Sequence, residues 1–175
     1  MALDNDFSGK VALVTGGSRG LGRAMALALA QRGADLVITS RKIDSCESVA
    51  LEIEAIGRRA LPYGCHVGKW DEIEGLVNAA YDRYGKIDIL INNAGMSPLY
   101  DKLSNVTEEL FDKVVGVNLK GPFRLMSLVG ERMVEGDGGS IINISSTASL
   151  NPSPEAEPYG AVSYTHLRAH ETKRN

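Results

Sequence analysis

The glycine-rich segment at residues 15–22 carries the clearest chemical signal in the chain. It reads TGGSRGLG, with glycines at 16, 20 and 22 among others. Glycines let the backbone approach a pyrophosphate closely, and a helix that follows presents free N–H groups and a partial positive charge. The spacing is neither GxGxxG nor a Walker loop, since no GKS or GKT follows. Taken alone, the segment fits either a phosphate cradle or a tight connection.

The elements on either side favour the cradle. The run KVALVT at 10–15 is apolar throughout its centre, as expected of a strand covered on both faces. A helical stripe of apolar residues begins at Leu21 and ends before Gly33, and DLVITS at 35–40 predicts a second strand. A glycine turn between the first strand and helix of such a unit is where phosphate groups bind.

Strand and helix patterns go on alternating as far as Ile144, which is the signature of a parallel sheet with crossover helices on both faces. The predicted fold is a Rossmann-like, doubly wound α/β/α sheet that is incomplete after its fifth strand. Regular structure beyond Pro158 is poorly defined by the sequence, and an uncovered fifth strand is expected to expose an edge. The remaining predicted strands span 60–67, where Pro62 favours an edge position, 86–93 and 140–145; the predicted helix starts are Asp44 and Thr107.

Asn118 interrupts an apolar helical stripe where the period requires a hydrophobic residue. Pro122 stands four residues later, has no N–H to donate, and crowds the carbonyl of residue 118. We therefore expect the helix to bend or open there, and the Asn118 carbonyl to be left free.

Five ordered motifs resemble the short-chain dehydrogenase/reductase family. They are TGGSRGLG at 15–22, NNAG at 92–95, the helical Asn118, NISS at 143–146 and Tyr159. The resemblance covers residues 7–161, and residues 1–161 are predicted to form one truncated domain that binds NAD(P). It implies a Rossmann-like fold and nicotinamide-dependent chemistry on carbonyl or alcohol groups.

The resemblance also implies roles for individual residues. Tyr159 is the expected general acid/base. Ser146, rather than Ser145, is expected to orient the substrate oxygen. Asn118 matches the position that holds a water in a proton relay. The implied cofactor contacts are Gly16, Ser18, Arg19, Gly20, Leu21, Gly22, Arg41, Val67, Asn93, Ala94, Gly95 and Tyr159.

The end of the second strand bears on cofactor choice. Enzymes that use NAD place an acid there to accept from the ribose 2′-hydroxyl, whereas those that use NADP offer cations to a 2′-phosphate. This chain has Ser40 and Arg41, with Arg19 in the nearby glycine turn. We expect a preference for NADP(H), with NAD(H) possible as a weaker ligand. At the end of the third strand, His66 replaces the acid that the family often has near the adenine, so its contact stays open.

The chain departs from the family after Tyr159. A lysine is expected four residues on, where it binds the nicotinamide ribose and favours the ionised tyrosine, but Ser163 stands there. Without a cation close by, little phenolate exists at neutral pH, so we expect impaired activity. The segment 162–175 resembles translated adaptor sequence and is expected to be a foreign or disordered tail.

Composition excludes several other classes of function. Against 22 acidic residues there are 19 basic ones, giving a net charge of −3, and this balance argues against nucleic acid or acidic membranes as partners. No run is long and apolar enough to span a membrane, no signal peptide is visible, and the expected location is the cytoplasm. The two cysteines and three histidines are too scattered for a metal site.

Two functions from different classes remain open. The first is an oxidoreductase acting on a small alcohol or carbonyl compound, whose identity the sequence does not give; its full-length parent is expected to be a homodimer or homotetramer. The second is a dinucleotide-binding module that senses or regulates without turnover. The acid/base set favours the enzyme, and the missing lysine favours the module if the tail is genuine.

Overall fold

The computed structural model describes residues 6–150 and the backbone of 157–168, with side chains in the latter segment described to Ser163. The strands are β1 Val11–Thr15, β2 Asp35–Ser40, β3 Ala60–Gly64, β4 Ile89–Asn92 and β5 Ser140–Asn143. The α-helices are α1 Gly20–Ala30, α2 Ile43–Ala55, α3 Trp70–Tyr84, α4 Glu108–Val115, α5 Gly121–Glu135 and α6 Glu157–Arg168. Short 3-10 segments lie at Leu103–Asn105 and Thr147–Ser149, and a π-helical turn at Gly116–Lys120 joins α4 to α5.

The five strands form one parallel sheet in the order β3-β2-β1-β4-β5. The chain moves outward from β1 to β3, crosses back, and moves outward again to β5. This confirms the predicted doubly wound α/β fold, with its switch point between β1 and β4. β3 lies at an edge, as Pro62 predicts.

Each face of the sheet is covered by helices, because the central strands are apolar on both sides. Leu13 and Val37 pack with α3 and α5 on one face, and Val14 and Ile38 with α1 and α2 on the other. These side chains are fully buried. The two layers hold the carboxyl ends of β1, β2 and β4 in fixed relative positions.

Some predicted boundaries are wrong. β3 ends at Gly64 rather than 67, because the chain turns at His66, whose carbonyl accepts from Lys69 N at 2.7 Å. Lys42, and not Asp44, is the N-cap of α2; Asp44 lies in the first turn, where its charge suits the helix dipole. Thr107 caps α4 as predicted, accepting from Leu110 N at 3.1 Å. β4 and β5 are also shorter than predicted.

The segment after Pro158 is regular where the sequence left its structure poorly defined. It is helical as far as Arg168, so α6 continues across the proposed domain boundary between residues 161 and 162. Val162 and Ser163 are buried. Residues 169–175 of the proposed tail lie outside the described residues, and the boundary itself stays a prediction.

The edge at β5 is open within residues 6–150 and 157–168, where no strand pairs with its outer side. Ile142 is 45% exposed, in contrast to the fully covered side chains of β1. In the same described part of the chain, no helix has the length and apolarity to cross a membrane.

Asp35 anchors the amino end of β2, opposite the cleft end of the sheet. Its buried carboxylate accepts from Arg58 Nη2 at 2.8 Å and from Arg59 N, Nε and Nη2 at 3.0, 2.8 and 2.6 Å. Burial on its own would raise the pKa of Asp35, but hydrogen bonds from Arg59 and the charges of both arginines outweigh it and hold the pKa below its usual value.

Replacing Asp35 by Asn should lower the free energy of unfolding at pH 7 by about 2 kcal/mol, since charge-assisted hydrogen bonds are lost in a buried position. Because the folded-state pKa is lowered, this contribution is present above the unfolded pKa of about 3.9 and is lost as the pH falls through the folded value. Urea unfolding at pH 7 and pH 3 measures the effect. The exposed Asp82→Asn is the control, and an equal loss in D35N at both pH values would contradict the assignment.

Candidate active site

The turn between β1 and α1 has the geometry of an anion cradle. Gly16 and Gly20 adopt positive φ angles of 63° and 54°, which other residues rarely adopt. Helix α1 begins at Gly20, and the side chain of its N-cap, Arg19, makes no capping hydrogen bond. The first N–H groups of α1 are therefore not capped by that side chain and are available to an anion.

Thr15 and Asn93 bind this turn to the end of β4. The Thr15 hydroxyl accepts from the N–H groups of Asn93 and Ala94, both at 3.0 Å, and donates to the Ile91 carbonyl at 3.3 Å. The Asn93 amide donates to the Thr15 carbonyl at 2.9 Å and to the Gly16 carbonyl at 3.4 Å. The carboxyl ends of β1 and β4 are thus fixed against each other at the switch point.

Two glycines make this close approach possible. A Cβ on Gly16 would lie 2.9 Å from Asn93 Nδ2 and 3.0 Å from Ala94 Cα. A Cβ on Gly22 would overlap both the Gly16 carbonyl oxygen and Asn93 Nδ2. The turn therefore tolerates no side chain at either position without moving backbone.

A cleft of about 810 Å³ opens above the ends of the strands. The structure brings together in its wall all the predicted cofactor contacts except Tyr159, namely Gly16, Ser18, Arg19, Gly20, Leu21, Gly22, Arg41, Val67, Asn93, Ala94 and Gly95. Sequence reasoning did not include eight further wall residues among the contacts: Ser40, Lys42, Ser45, Cys65, His66, Met96, Ser97 and Val117. Five of them, Lys42, Cys65, His66, Met96 and Ser97, lie in the loops that follow β2, β3 or β4, and that position is the signal that could have identified them.

The charge of the cleft wall is entirely positive among the residues that line it. Arg19, Arg41 and Lys42 are exposed there, and no aspartate or glutamate lines the cleft. Cys65 contributes no negative charge either, because burial, aided by the charge of Glu72, raises the pKa of its thiol to about 11. The wall suits a polyanionic ligand.

Asn118 lies in the π-helical turn, which confirms that the helix opens near Pro122. The side chain is buried and forms a reciprocal pair with the backbone of Met96: Oδ1 accepts from Met96 N at 2.9 Å, and Nδ2 donates to Met96 O at 2.7 Å. Sequence reasoning pointed to the Asn118 carbonyl and missed this side-chain contact, since its partner is a backbone far away in the chain. The pair fixes the loop that follows β4 against the helix layer.

Ser146 and Tyr159 lie on segments that pack together outside the wall of this cleft. Helix α6 contacts the 3-10 segment that Ser146 caps and also contacts the π-helical turn that carries Asn118. The Ser146 hydroxyl accepts from Ala148 N at 3.2 Å, so its own hydrogen remains available for donation. Tyr100 fixes the start of α6, because its hydroxyl accepts from Glu157 N at 2.7 Å. The topology thus gathers the three predicted catalytic residues on contacting elements.

Ser163 occupies the position one helical turn beyond Tyr159 and is 3% exposed. Its carbonyl accepts from the Ser145 hydroxyl at 3.0 Å. Ser145 therefore has an internal partner, in keeping with the choice of Ser146 as the group that faces substrate. No cation is present at this position of α6.

Comparison with known proteins gives the family. The model of the family described as short chain dehydrogenase matches residues 10–163. The chain belongs to this family. A short-chain dehydrogenase relative, dehydrogenase/reductase SDR family member 4 from Bos taurus, is 41% identical over 167 residues, which cover 95% of this chain and 60% of the relative.

Solved structures of short-chain dehydrogenases match closely. One from Mycobacterium marinum has a TM-score of 0.89 at 32% identity and covers 94% of this chain and 66% of its own. A metagenomic short-chain oxidoreductase in complex with NADP has a TM-score of 0.86 at 34% identity, and the match covers 93% of this chain and 78% of that one. An NAD+-bound xylitol dehydrogenase has a TM-score of 0.88 at 29% identity, and the match covers 93% of this chain and 63% of that one. The chain spans about 60% of the length of the first curated relatives that it matches.

Replacing Gly22 by Ala should weaken dinucleotide binding by about tenfold or more, because the new Cβ displaces the Gly16 carbonyl and so distorts the cradle. Fluorescence titration with NADPH measures the loss. Gly130→Ala is the matched control: it lies in α5, and its Cβ would make only an ordinary 3.7 Å contact with Ile141. Unchanged binding in a folded G22A protein would show that this turn does not hold the phosphates.

Proposed function

We propose that the chain is the cofactor-binding and catalytic part of an NADP(H)-dependent oxidoreductase that interconverts a small alcohol and its carbonyl compound. The observation that carries this proposal is the cleft at the switch point between β1 and β4, lined by a glycine cradle and by cations. Such a position is where doubly wound sheets bind dinucleotides.

The residues of the cleft fit a dinucleotide in shape and charge. The turn at Gly16 and Gly22 has no room for side chains, and the uncapped start of α1 offers N–H groups to a pyrophosphate. Small residues at Ala94 and Gly95 leave space at the end of β4. When bound, the cofactor supplies or accepts the hydride.

Preference for NADP(H) rests on the wall beyond β2. Arg41 follows Ser40 directly, Arg19 lines the same cleft, and the wall contains no carboxylate that would repel a 2′-phosphate. The structural relatives include both an NADP complex and an NAD+ complex. The proposal therefore depends on these arginines and not on the relatives.

Arg41→Ala should weaken NADPH binding by about tenfold while changing NADH affinity less than twofold, because only the 2′-phosphate loses a partner. Arg32→Ala removes the same charge at a site outside the cleft wall and should leave both affinities unchanged. Isothermal titration with both dinucleotides tests the pair. Equal affinity of the unaltered chain for NADPH and NADH would contradict the preference.

For catalysis we assign proton transfer to Tyr159, whose hydroxyl would give a proton to the carbonyl oxygen in reduction and take it back in oxidation. Ser146 would orient that oxygen through the hydrogen that its contact with Ala148 leaves free. Asn118 would keep the loop at Met96 in place and, as the family resemblance implies, support a proton relay. The buried Ser163 provides no cation to favour the ionised Tyr159, so slow turnover is expected.

A second candidate function follows from that same position. Because Ser163 is buried and uncharged, the chain could bind the dinucleotide and act as a sensor or regulator without turnover. Measuring NADPH binding together with carbonyl-dependent NADPH oxidation separates the two functions.

Ser163→Lys should raise carbonyl-dependent NADPH oxidation by at least about tenfold, because an ammonium one turn from Tyr159 favours the phenolate. The rise should be accompanied by a shift of the pH-rate profile toward lower pH. Ser163→Met provides a side chain of comparable length without charge, and adding Tyr159→Phe to S163K should abolish the gain. Thermal unfolding checks that the buried lysine is tolerated.

The same comparison should be made in a chimera that continues with the C-terminal part of the relative described above. A folded, NADPH-binding S163K chimera that reduces none of a broad panel of ketones and aldehydes would contradict the enzymatic proposal and favour the binding module.

A further inference from the structure

The turn after β3 holds His66 in a defined orientation. Its backbone N–H donates to Glu72 Oε2 at 2.8 Å, and its carbonyl accepts from Lys69 N at 2.7 Å. Ring atom Nδ1 accepts from Gly68 N at 3.1 Å. Both the backbone and the ring are therefore fixed, and the residue lines the cleft.

The contact with Gly68 also sets where the proton of the ring lies. A nitrogen that accepts a hydrogen bond carries no proton, so the neutral imidazole bears its proton on Nε2. Among the hydrogen bonds of residues 6–150 and 157–163, Nε2 makes none. His66 lines the cleft and consequently has a free donor, and no free acceptor, on its ring.

The His66 ring leaves little room for a side chain at residue 68. A Cβ at residue 68 would lie 2.9 Å from His66 Cε1 and 3.0 Å from Val117 Cγ2. Any other residue would displace the ring from its hydrogen bond. The segment His66–Val67–Gly68 is thus built to hold the imidazole where it is.

The strand order places this donor beside the base of the dinucleotide; this step rests on the proposed function. The pyrophosphate belongs at the glycine turn after β1, and the adenosine ribose belongs at the end of β2, near Arg41. β3 is the outer neighbour of β2, and His66 follows it closely. The purine, which lies beyond the ribose, therefore reaches the wall formed by His66 and Val67.

The wall formed by His66 and Val67 has no carboxylate, which is the group that would select a 6-amino purine most strongly. No carboxylate lines the cleft, and Cys65 is a neutral thiol. A carboxylate accepts from the amino group of adenine and repels a 6-oxo oxygen. A donor such as His66 Nε2–H can bond either to adenine N1 or to the 6-oxo oxygen of hypoxanthine.

We propose that His66 is a specificity-determining residue for the base and that it makes the site tolerant of 6-oxo purines. The chain should bind the hypoxanthine analogue of NADPH within about threefold of NADPH itself.

Two variants of the same shape test the role of the donor. His66→Asp and His66→Asn can each accept from Gly68 N–H through Oδ1, as aspartate and asparagine do in turns. They differ in the other side-chain atom, which is an acceptor in H66D and a donor amide in H66N. Circular dichroism and thermal unfolding confirm that both fold.

The readout is the ratio of the two dissociation constants, measured by fluorescence titration of each protein with NADPH and with its hypoxanthine analogue. H66D should favour NADPH by about tenfold more than the unaltered chain does, and H66N should keep the ratio of the unaltered chain. The ratio removes any general loss of affinity that a variant causes.

The outcomes separate this inference from the proposal on which it rests. The inference is wrong if the unaltered chain binds NADPH more than tenfold more tightly than the hypoxanthine analogue. It is also wrong if H66D and H66N give the same ratio of dissociation constants. In both cases the dinucleotide proposal stands. If neither dinucleotide binds, both are wrong.

Discussion

The contact between the glycine turn after β1 and the end of β4 is the constraint on which the rest of the site depends. Thr15 and Asn93 join the two strand ends through side-chain hydrogen bonds to backbone, and Gly22 leaves the space in which they meet. Parallel strands pair only through their own ladder, which stops at the last residue of each strand. The side chains extend that connection into the loops, so the floor of the cleft is tied to the sheet beneath it.

The other half of the site has a different basis. Helix α6 is attached through contacts with α4, the 3-10 segment, the π-helical turn and the hydroxyl of Tyr100. Asn118 connects this layer to the cleft, since its amide holds the backbone of Met96, which lines the cleft wall. The Asn118–Met96 pair is therefore one polar connection between the cleft wall and the layer on which α6 packs.

Local pattern was enough to predict the sheet and most of the cleft. β2 was predicted at its observed bounds because DLVITS has a β-branched and aliphatic centre and follows the helix stop at Gly33. The glycine turn was identified because it lies between a predicted strand and a predicted helix. Contacts outside the apolar pattern account for the differences: β3 ends early because the chain turns at His66, whose carbonyl accepts from Lys69 N, and Asn118 has a partner 22 residues away. Neither partner leaves a periodic trace in the sequence.

The π-helical turn at Gly116–Lys120 has a consequence for insertions and deletions in this region. An α-helix advances about 100° per residue, so the wider turn sets a phase difference between α4 and α5. Removing a single residue there would change this phase difference, so that either Val114 or Leu125 would rotate out of the core. A change in the length of this stretch therefore disturbs the packing of both helices that it joins.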